Sequence, residues 1–279
     1  MRTDEVSPFS QISKLPYTEE KVEELFTSFK KEGSSVLLFL KFVESVELYT
    51  WDKADAEPKH YYSVVIQNAE KQNPITLNTV RTDRKVMYDS VSQGLSYLET
   101  MAGKERSYVI PLTVQVKDGE HTNNESWMLC NQIGGGMSSE MAIQEFRAAQ
   151  GLRLVPWGGV ATKSIYTKES GTNVTSLNST SNQPQRIVKG RVFCFLPLPT
   201  ETGLPVHVNG CFELSLNRRD VWHGEDLSGE GKKKVDWNNR LKQDVVASAY
   251  AVLIEQTAIS MANNNQLEYL DQFYDQWPN

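Results

Sequence analysis

The sequence predicts an α+β fold: mainly antiparallel mixed sheet with packed helices. Apolar residues fall on every second position in several short runs, which is the spacing of strands with one buried face. Short turn-forming stretches separate these runs, which favours antiparallel neighbours. Two longer stretches, near residues 18–33 and 236–253, carry apolar residues at helical spacing instead.

The N-terminal portion, residues 1–186, is predicted to combine both kinds of element. After an irregular lead-in over residues 1–16, Thr18 caps a helix that Gly33 ends. Three β-rich runs and one amphipathic pattern follow. The β-rich runs predict three neighbouring strands, over residues 35–40, 45–51 and 61–67. The amphipathic pattern predicts a helix over residues 82–101.

The clearest hairpin comes next in the chain. Alternation from Tyr108 to Val116 leads into a turn at Asp118 and Gly119, and residues 126–132 return as the second strand. Residues 168–186 are almost wholly polar and are predicted to form a mobile surface loop. Between the hairpin and this loop, the sequence predicts a flexible link over residues 134–136 and a short helix over residues 140–150. A turn over residues 156–159 and a strand over residues 160–166 are predicted to follow.

The C-terminal portion, residues 187–279, is predicted as a β-hairpin followed by helix, either within the same domain or as a second one. A polar loop over residues 224–234 precedes a helix that Asp236 caps. A short amphipathic piece over residues 267–277 follows it. The buried stripe of the capped helix is predicted to comprise Leu241, Val245, Val246, Ala249 and Leu253.

The rest of the chain is predicted to be organised around the hairpin of this portion. Its first strand is an apolar run from Val192 that ends at Pro197 and Pro199, because proline lacks a ladder donor. Its second strand, residues 206–216, alternates strictly and is predicted to be half-buried, with His207 on the polar face.

Composition excludes several classes of protein. A net charge of -6 and a pI near 5.4 argue against a duplex-DNA binder, which needs a basic face. The three cysteines lack Cys-x-x-Cys spacing, so reduced thiols in a cytoplasmic protein are expected. No apolar run approaches the roughly 20 residues that span a bilayer, so no membrane span is expected.

Two adjacent cations, Arg218 and Arg219, follow the second strand and precede the aromatic Trp222. A guanidinium donates charge-assisted hydrogen bonds, so either arginine is a candidate contact for an anion such as phosphate. The alternative is structural: both arginines pair with acidic neighbours such as Asp220 or Glu213.

Other candidate groups have plainer interpretations. His207 and Cys211 supply only two potential ligands, so a hydrogen-bonded structural histidine is predicted rather than a metal or nucleophilic site. The run Lys232 to Lys234 is predicted to be solvated. Large aromatic residues are expected in the core, and an exposed cluster would instead indicate a client-binding surface: Trp157, Trp222, Trp237 and Trp277.

Four motifs carry a resemblance to the sacsin family, and the similarity extends to residues 35–48 and 127–131. The motifs are Phe193 to Pro199, Thr202 to Gly210, Asn217 to Trp222 and Asp236 to Asn239. The family consists of giant cytosolic proteins whose repeats each begin with an ATPase-like domain. That domain is of the gyrase, heat-shock chaperone, histidine-kinase and MutL class.

The nucleotide-binding motifs of that class are absent from this sequence. It contains no Asp-x-Gly-x-Gly, none of its predicted helices carries Glu-x-x-x-Asn, and Gly134 to Gly136 lacks the partner residues of a phosphate loop. The resemblance therefore implies the part of a repeat that follows the ATPase-like domain, comparable to the middle segment of the ninety-kilodalton heat-shock chaperone. A loop there projects an arginine towards the γ-phosphate. The comparable stretch here is Leu216 to Asp220, and its shorter spacing leaves open whether Arg218 or Arg219 matches.

Two functions follow from the resemblance as expectations. The first is a non-catalytic structural and interaction segment of a co-chaperone in protein quality control. Its partners would be the preceding ATPase-like domain, the seventy-kilodalton heat-shock chaperone and cytoskeletal proteins, with no nucleic acid. The second is a module that supplies Arg218 or Arg219 to the ATPase site of the preceding domain. This segment is expected to hold no cofactor and no complete active site, and ATP would bind the adjacent domain.

Overall fold

The structure, a computed structural model, describes residues 18–40, 43–52, 54, 56–67, 82, 85, 89, 99, 105–148, 151–165, 188–224 and 228–278. The predicted lead-in and the polar loop over residues 168–186 lie outside the described residues. So do all but four positions of the helix predicted over residues 82–101, and those four are helical.

One mixed sheet organises the described residues. Its eight strands run in the order β1-β2-β3-β4-β5-β8-β6-β7, and every neighbouring pair is antiparallel except β6 with β8. The predicted α+β class is confirmed. The strands are β1 (Ser45–Thr50), β2 (Lys59–Gln67), β3 (Arg106–Asp118), β4 (His121–Ile133), β5 (Trp157–Lys163), β6 (Arg191–Cys194), β7 (Leu196–Glu201) and β8 (His207–Gly210).

Strands with local pairing follow the sequence prediction closely. β3 and β4 form a long hairpin in continuous register from Asp118 opposite His121 to Arg106 opposite Ile133. β1 and β2 are antiparallel neighbours, also as predicted. β5 begins at Trp157, so the turn predicted over residues 156–159 is wrong: three of those residues belong to the strand and are buried. Small glycines allow close approach of neighbouring elements there.

Helix α1 (Glu19–Val36) crosses one face of the sheet. The Thr18 hydroxyl accepts from the Lys21 N–H at its start, as predicted. Gly33 does not end the helix, which continues to Val36. A Cβ at position 33 would approach the Tyr62 hydroxyl to 2.5 Å, so the glycine allows α1 to lie close to β2. The strand predicted over residues 35–40 is likewise wrong. Those residues complete α1 and form a buried 3₁₀ turn, since a short apolar run alone does not distinguish a strand from a buried helix end.

Both faces of β8 are covered, which corrects the prediction of a half-buried strand. His207 lines a cleft beside Glu32 of α1, whereas Val208 lines a cavity beside Val246 on the opposite face. All four residues of β8 are buried, and the strand ends at Gly210 instead of continuing to Leu216, which is 92% exposed. The polar side chains of the alternating pattern are buried as well: the His207 ring packs on Trp127 and Phe193, and the Asn209 amide accepts from the Phe195 N–H over 2.8 Å.

The two prolines of the first predicted strand occupy the edge strand β7. They do not stop the sheet, because an edge strand has one side without ladder partners where proline is tolerated. The sheet takes strands from residues 45–163 and from residues 191–210. The division between residues 186 and 187 remains a prediction.

The other face of the sheet is covered by a long helical run. It comprises α3 (Gly229–Arg240), a π-helical segment (Leu241–Val246) and α4 (Ala247–Asn263). It starts seven residues before the predicted cap at Asp236, so the loop predicted up to residue 234 is shorter. All five residues of the predicted stripe are buried. Two further helices are α2 (Gly136–Arg147) and the short α5 (Leu270–Tyr274), which follows a 3₁₀ turn (Leu267–Tyr269).

The run Gly229–Asn263 is long and apolar enough to cross a membrane, by length and composition only. The sequence analysis expected no membrane span, because no uninterrupted apolar run approaches roughly 20 residues. The core helix of a soluble protein passes the same test. Here the run supplies seven buried residues to the main hydrophobic core: Trp237, Leu241, Val245, Val246, Ala249, Tyr250 and Leu253.

Candidate functional site: the arginine loop

The arginine loop, residues Ser215 to Asp220, is a tight turn closed by its own hydrogen bonds. The Ser215 N–H donates to the Asp220 carbonyl over 2.9 Å, and the Arg218 N–H donates to the Ser215 carbonyl over 2.8 Å. The Asn217 side-chain oxygen accepts from the Arg219 N–H over 3.0 Å. Arg218 adopts a left-handed backbone with φ of 55°. The loop therefore has a defined shape in which a non-glycine residue takes an unfavourable conformation.

The base of the arginine loop is held by α3. The Asn238 amide accepts from the Glu213 N–H over 2.8 Å and donates to the carbonyls of Glu213 and Trp222 over 2.8 and 3.0 Å. The Trp237 indole donates to the Cys211 carbonyl over 2.9 Å. Trp237 and Asn238 are both fully buried. A buried amide thus bridges the two chain segments that enter and leave the loop.

The side chains of Arg218 and Arg219 are exposed, and neither forms an ion pair with any residue that the structure describes. The Asp220 carboxylate instead accepts from the Thr200 hydroxyl over 2.8 Å and from the Val221 N–H over 2.7 Å. The structural alternative, pairing with acidic neighbours, is therefore not seen among these residues. Two guanidinium groups remain available to an anion from outside the segment.

The triglycine turn, residues Gly134 to Gly136, is already occupied by the protein's own carboxylates. All three glycines have positive φ and lead directly into α2, so the predicted flexible link is wrong. The Asp244 carboxylate accepts from the Ser138 N–H over 2.7 Å, and Glu105 accepts from the Gly136 N–H over 3.1 Å. These anions satisfy the helix start where a phosphate would otherwise bind.

Comparison with known proteins shows which proteins this chain is related to. A family model described as the Sacsin domain matches residues 1–63. Sacsin of Homo sapiens is 30% identical over 263 residues, which is 92% of this chain. The chain is a sacsin-related segment. It spans 5% of the length of human sacsin. No solved structure matches it. The resemblance carried by the four sequence motifs is confirmed.

In the sacsin-related segment His207 is a structural residue, as predicted. Its Nδ1 accepts from the Arg191 N–H over 3.1 Å, so a neutral ring carries its proton on Nε2. The ring stacks on Trp127 and meets the edge of Phe193, with centroids 5.6 and 5.2 Å apart. Burial, helped by the charges of Arg191 and Lys163, lowers the pKa of His207 to about 4. No group of residues in the described ranges has the composition of a metal site.

The lysine run of the sacsin-related segment is less solvated than predicted. Lys233 pairs with Glu145 over 2.8 Å, and Lys234 pairs with Glu230 over 2.8 Å. Lys234 also lies 5.2 Å from the centroid of the Trp222 ring. The Lys233–Glu145 pair links α3 to α2, the Lys234–Glu230 pair lies within α3, and Lys234 contacts Trp222 beside the base of the arginine loop.

The predicted aromatic positions divide between core and surface. Trp157 and Trp237 are fully buried, Trp222 is half-buried, and Trp277 is exposed. Sequence reasoning assigned no role to Asn238 or Asp244. Asn238 stands inside one of the resemblance motifs, which was a usable signal. Asp244 lies more than a hundred residues from the turn that it caps, and no local pattern announces it.

Proposed function

We propose that this sacsin-related segment is a structural and interaction module of a co-chaperone in protein quality control. The observation that carries the proposal is an exposed aromatic cluster, Tyr274 and Trp277, beside the half-exposed Leu270. The two rings are 59% and 45% exposed, and their centroids are 6.1 Å apart. Neighbouring apolar side chains in water support a protein-binding surface.

The cluster suits two kinds of protein partner. Within a longer chain it would contact a neighbouring domain, including the preceding ATPase-like domain. In the cytoplasm it would contact clients shared with the seventy-kilodalton heat-shock chaperone, or cytoskeletal proteins. Large aromatic rings bury much apolar area at a small cost in side-chain entropy, so they suit partners of varied sequence.

Light scattering from a heat-labile reporter enzyme tests this function. We expect the segment to slow aggregation of the reporter, and we expect the double variant Tyr274→Ser with Trp277→Ser to lose most of that effect. Leu25→Ser, which removes an exposed apolar side chain from α1, is the matched control and should behave as the unmodified chain. Equal protection by the double variant would refute the role of the cluster.

A second candidate function concerns ATP hydrolysis. The arginine loop supports it, because Arg218 and Arg219 are exposed and held by a defined turn. A guanidinium that reaches the transferring phosphoryl group stabilises charge developing in the transition state. The segment would then complete the active site of the preceding domain without binding ATP itself.

ATP turnover by the segment joined to its preceding domain tests this second function. We expect Ala at the matching arginine to lower turnover on the order of a hundredfold or more. Lys232→Ala removes an exposed cation from the neighbouring helix and should leave turnover unchanged. Unchanged turnover in both Arg218→Ala and Arg219→Ala would end this function. The segment alone should not bind ATP.

A further inference from the structure

The last helical segment, residues 267–277, carries a row of apolar side chains that the described residues leave exposed. This row, the C-terminal stripe, comprises Leu267, Leu270, Tyr274 and Trp277, whose spacing places them on one side of successive helical turns. Leu267 is 61% exposed, and the other three are exposed as well. Apolar residues at helical spacing normally face a core, so an exposed stripe indicates a contact with another molecule.

The other side of this segment is fixed to the rest of the fold. Phe273 is buried in a small second hydrophobic cluster. The Gln276 side chain donates to the Lys163 carbonyl over 3.1 Å, and the Gln276 carbonyl accepts from the Tyr250 hydroxyl. Because these contacts hold the backbone in place, the C-terminal stripe is a preformed surface, and a partner need not order it on binding.

A row of carboxylates runs beside the C-terminal stripe. Glu268, Asp271 and Asp275 each follow a stripe residue by one position, so they lie about 100° further round the helix. All three are exposed, and none pairs with a cation in the part of the chain that the structure describes. No lysine, arginine or histidine follows Lys242 in the sequence. The unmatched charge beside the stripe is therefore negative.

The cleft next to Tyr274 has the same sign of charge. It lies between Tyr274, Asp275 and the turn over residues 203–205, and its volume is about 640 Å³. Two other charged residues line it, Lys189 and Glu201, and they pair with each other over 2.6 Å. Asp275 has no cationic partner among the described residues, so a positive charge on a partner complements the cleft.

We propose that the C-terminal stripe binds an amphipathic helix of a partner protein, one whose apolar side is flanked by lysine or arginine. The apolar residues of the two helices pack together at helical spacing, and the basic residues pair with Glu268, Asp271 and Asp275. The same carboxylates repel nucleic acid and anionic lipid surfaces. This partner class rests on the proposed interaction function, because Tyr274 and Trp277 belong to both.

Fluorescence anisotropy with three labelled helical peptides tests the charge preference of the whole chain. The peptides share one leucine stripe and differ only in the flanking residues, which are lysine, glutamine or glutamate. We expect the lysine peptide to bind on the order of tenfold more tightly than the glutamine peptide, the combined effect of three exposed ion pairs. The glutamate peptide should bind most weakly.

Removing the carboxylates separates the charge from the apolar contact. Asp271→Asn with Asp275→Asn should lower the affinity for the lysine peptide about fivefold and leave the affinity for the glutamine peptide unchanged. Glu23→Gln with Glu24→Gln removes the same charge from exposed positions of α1 and is the matched control. Because all four residues are exposed, neither double variant should shift the thermal unfolding midpoint.

The peptide results and the reporter assay fail separately. Equal binding of all three peptides, or a lysine preference that survives Asp271→Asn with Asp275→Asn, would overturn the basic partner and leave the apolar surface in place. Tyr274→Ser with Trp277→Ser should weaken binding of the lysine and glutamine peptides alike, and undiminished binding would show that the stripe is not the site. Absence of lysine-peptide binding would overturn the partner class even if the segment protects the reporter enzyme.

Discussion

The triglycine turn and the arginine loop both use left-handed backbone to reverse direction, but their charged groups differ in accessibility. At the triglycine turn, the Asp244 carboxylate accepts a hydrogen bond from the first turn of α2. At the arginine loop, the carboxylate of Asp220 is held by Thr200 and Val221, and both guanidinium groups are exposed. The triglycine turn therefore has its anion supplied by the chain itself, whereas the cations of the arginine loop are exposed to solvent.

This difference shows that a glycine run before a helix is a weaker indication of an anion-binding site than exposed arginines in a hydrogen-bonded loop. A glycine run before a helix resembles an anion site, yet the chain itself supplies the anion from a distant π-helical segment. Such segments occur often at functional sites, and here the segment positions a capping carboxylate. The exposed charge lies instead at the arginine loop, where Asn217 accepts from the Arg219 N–H and Asn238 holds the two chain segments at the base.

The largest expected effect comes from removing the amide beneath the arginine loop. Asn238→Ala leaves the Glu213 N–H and the Trp222 carbonyl without their side-chain partner in a part-buried place, whereas the Glu213 carbonyl still accepts from the Trp222 N–H. We expect it to lower the free energy of unfolding by about 3 kcal/mol. Asn239→Ala, the exposed neighbour on the same helix, should change it by less than about 0.5 kcal/mol. Chemical denaturation measures both, and equal effects would contradict the anchoring role of Asn238.

The next effect depends on pH and separates the buried scaffold from the loop. The pKa of His207 is about 4 in the folded chain and about 6.5 unfolded, so the unfolded chain takes up the proton first as pH falls. The stability from the neutral ring is complete above pH 6.5 and is lost as pH falls to about 4, by about 3 kcal/mol at most.

Comparison with His207→Gln isolates this contribution from that of the carboxylates. The variant should be less stable at neutral pH and should lose less stability on acidification between about pH 6.5 and 4. Denaturation midpoints at several pH values give the two slopes. Parallel slopes would show that His207 does not contribute.

A smaller effect is expected at the triglycine turn. Asp244→Ala removes the carboxylate that accepts from the Ser138 N–H at the start of α2. Losses of helix caps typically lower the free energy of unfolding by about 1 to 2 kcal/mol, and we expect that range here. Gln243→Ala changes the exposed preceding residue and should have no comparable effect. Denaturation would contradict the capping role if the two variants were equal.

Local patterns in the sequence account for much of this fold. The alternation in β3 and β4 and the stripe from Leu241 to Leu253 each predicted which side chains are buried. They did so because these patterns depend only on residues close together in the chain. The position of Arg218 and Arg219 after a strand was also readable. The burial of His207 was not, because its ring packs on Trp127 of β4, a contact between residues far apart in the chain. The prediction that the prolines of β7 end a strand was wrong for a similar reason, because the sequence does not show which strand lies at the edge of the sheet.

The smallest stability effect concerns the arginine loop and carries the most information about function. Arg218 has φ of 55°, a conformation that costs a non-glycine residue about 1 kcal/mol. Arg218→Gly removes that strain but adds freedom to the unfolded chain, so we expect a gain of about 0.5 kcal/mol. Arg219→Ala, beside it, should be neutral.

A strained residue that could be replaced with a gain in stability suggests that its side chain is used. The decisive comparison therefore measures Arg218→Gly twice, by denaturation of the segment and by ATP turnover when the segment is joined to the ATPase-like domain that we propose as its partner. Higher stability with lower turnover would assign the phosphate contact to Arg218. Higher stability with unchanged turnover would move that contact to Arg219 or remove it from the loop.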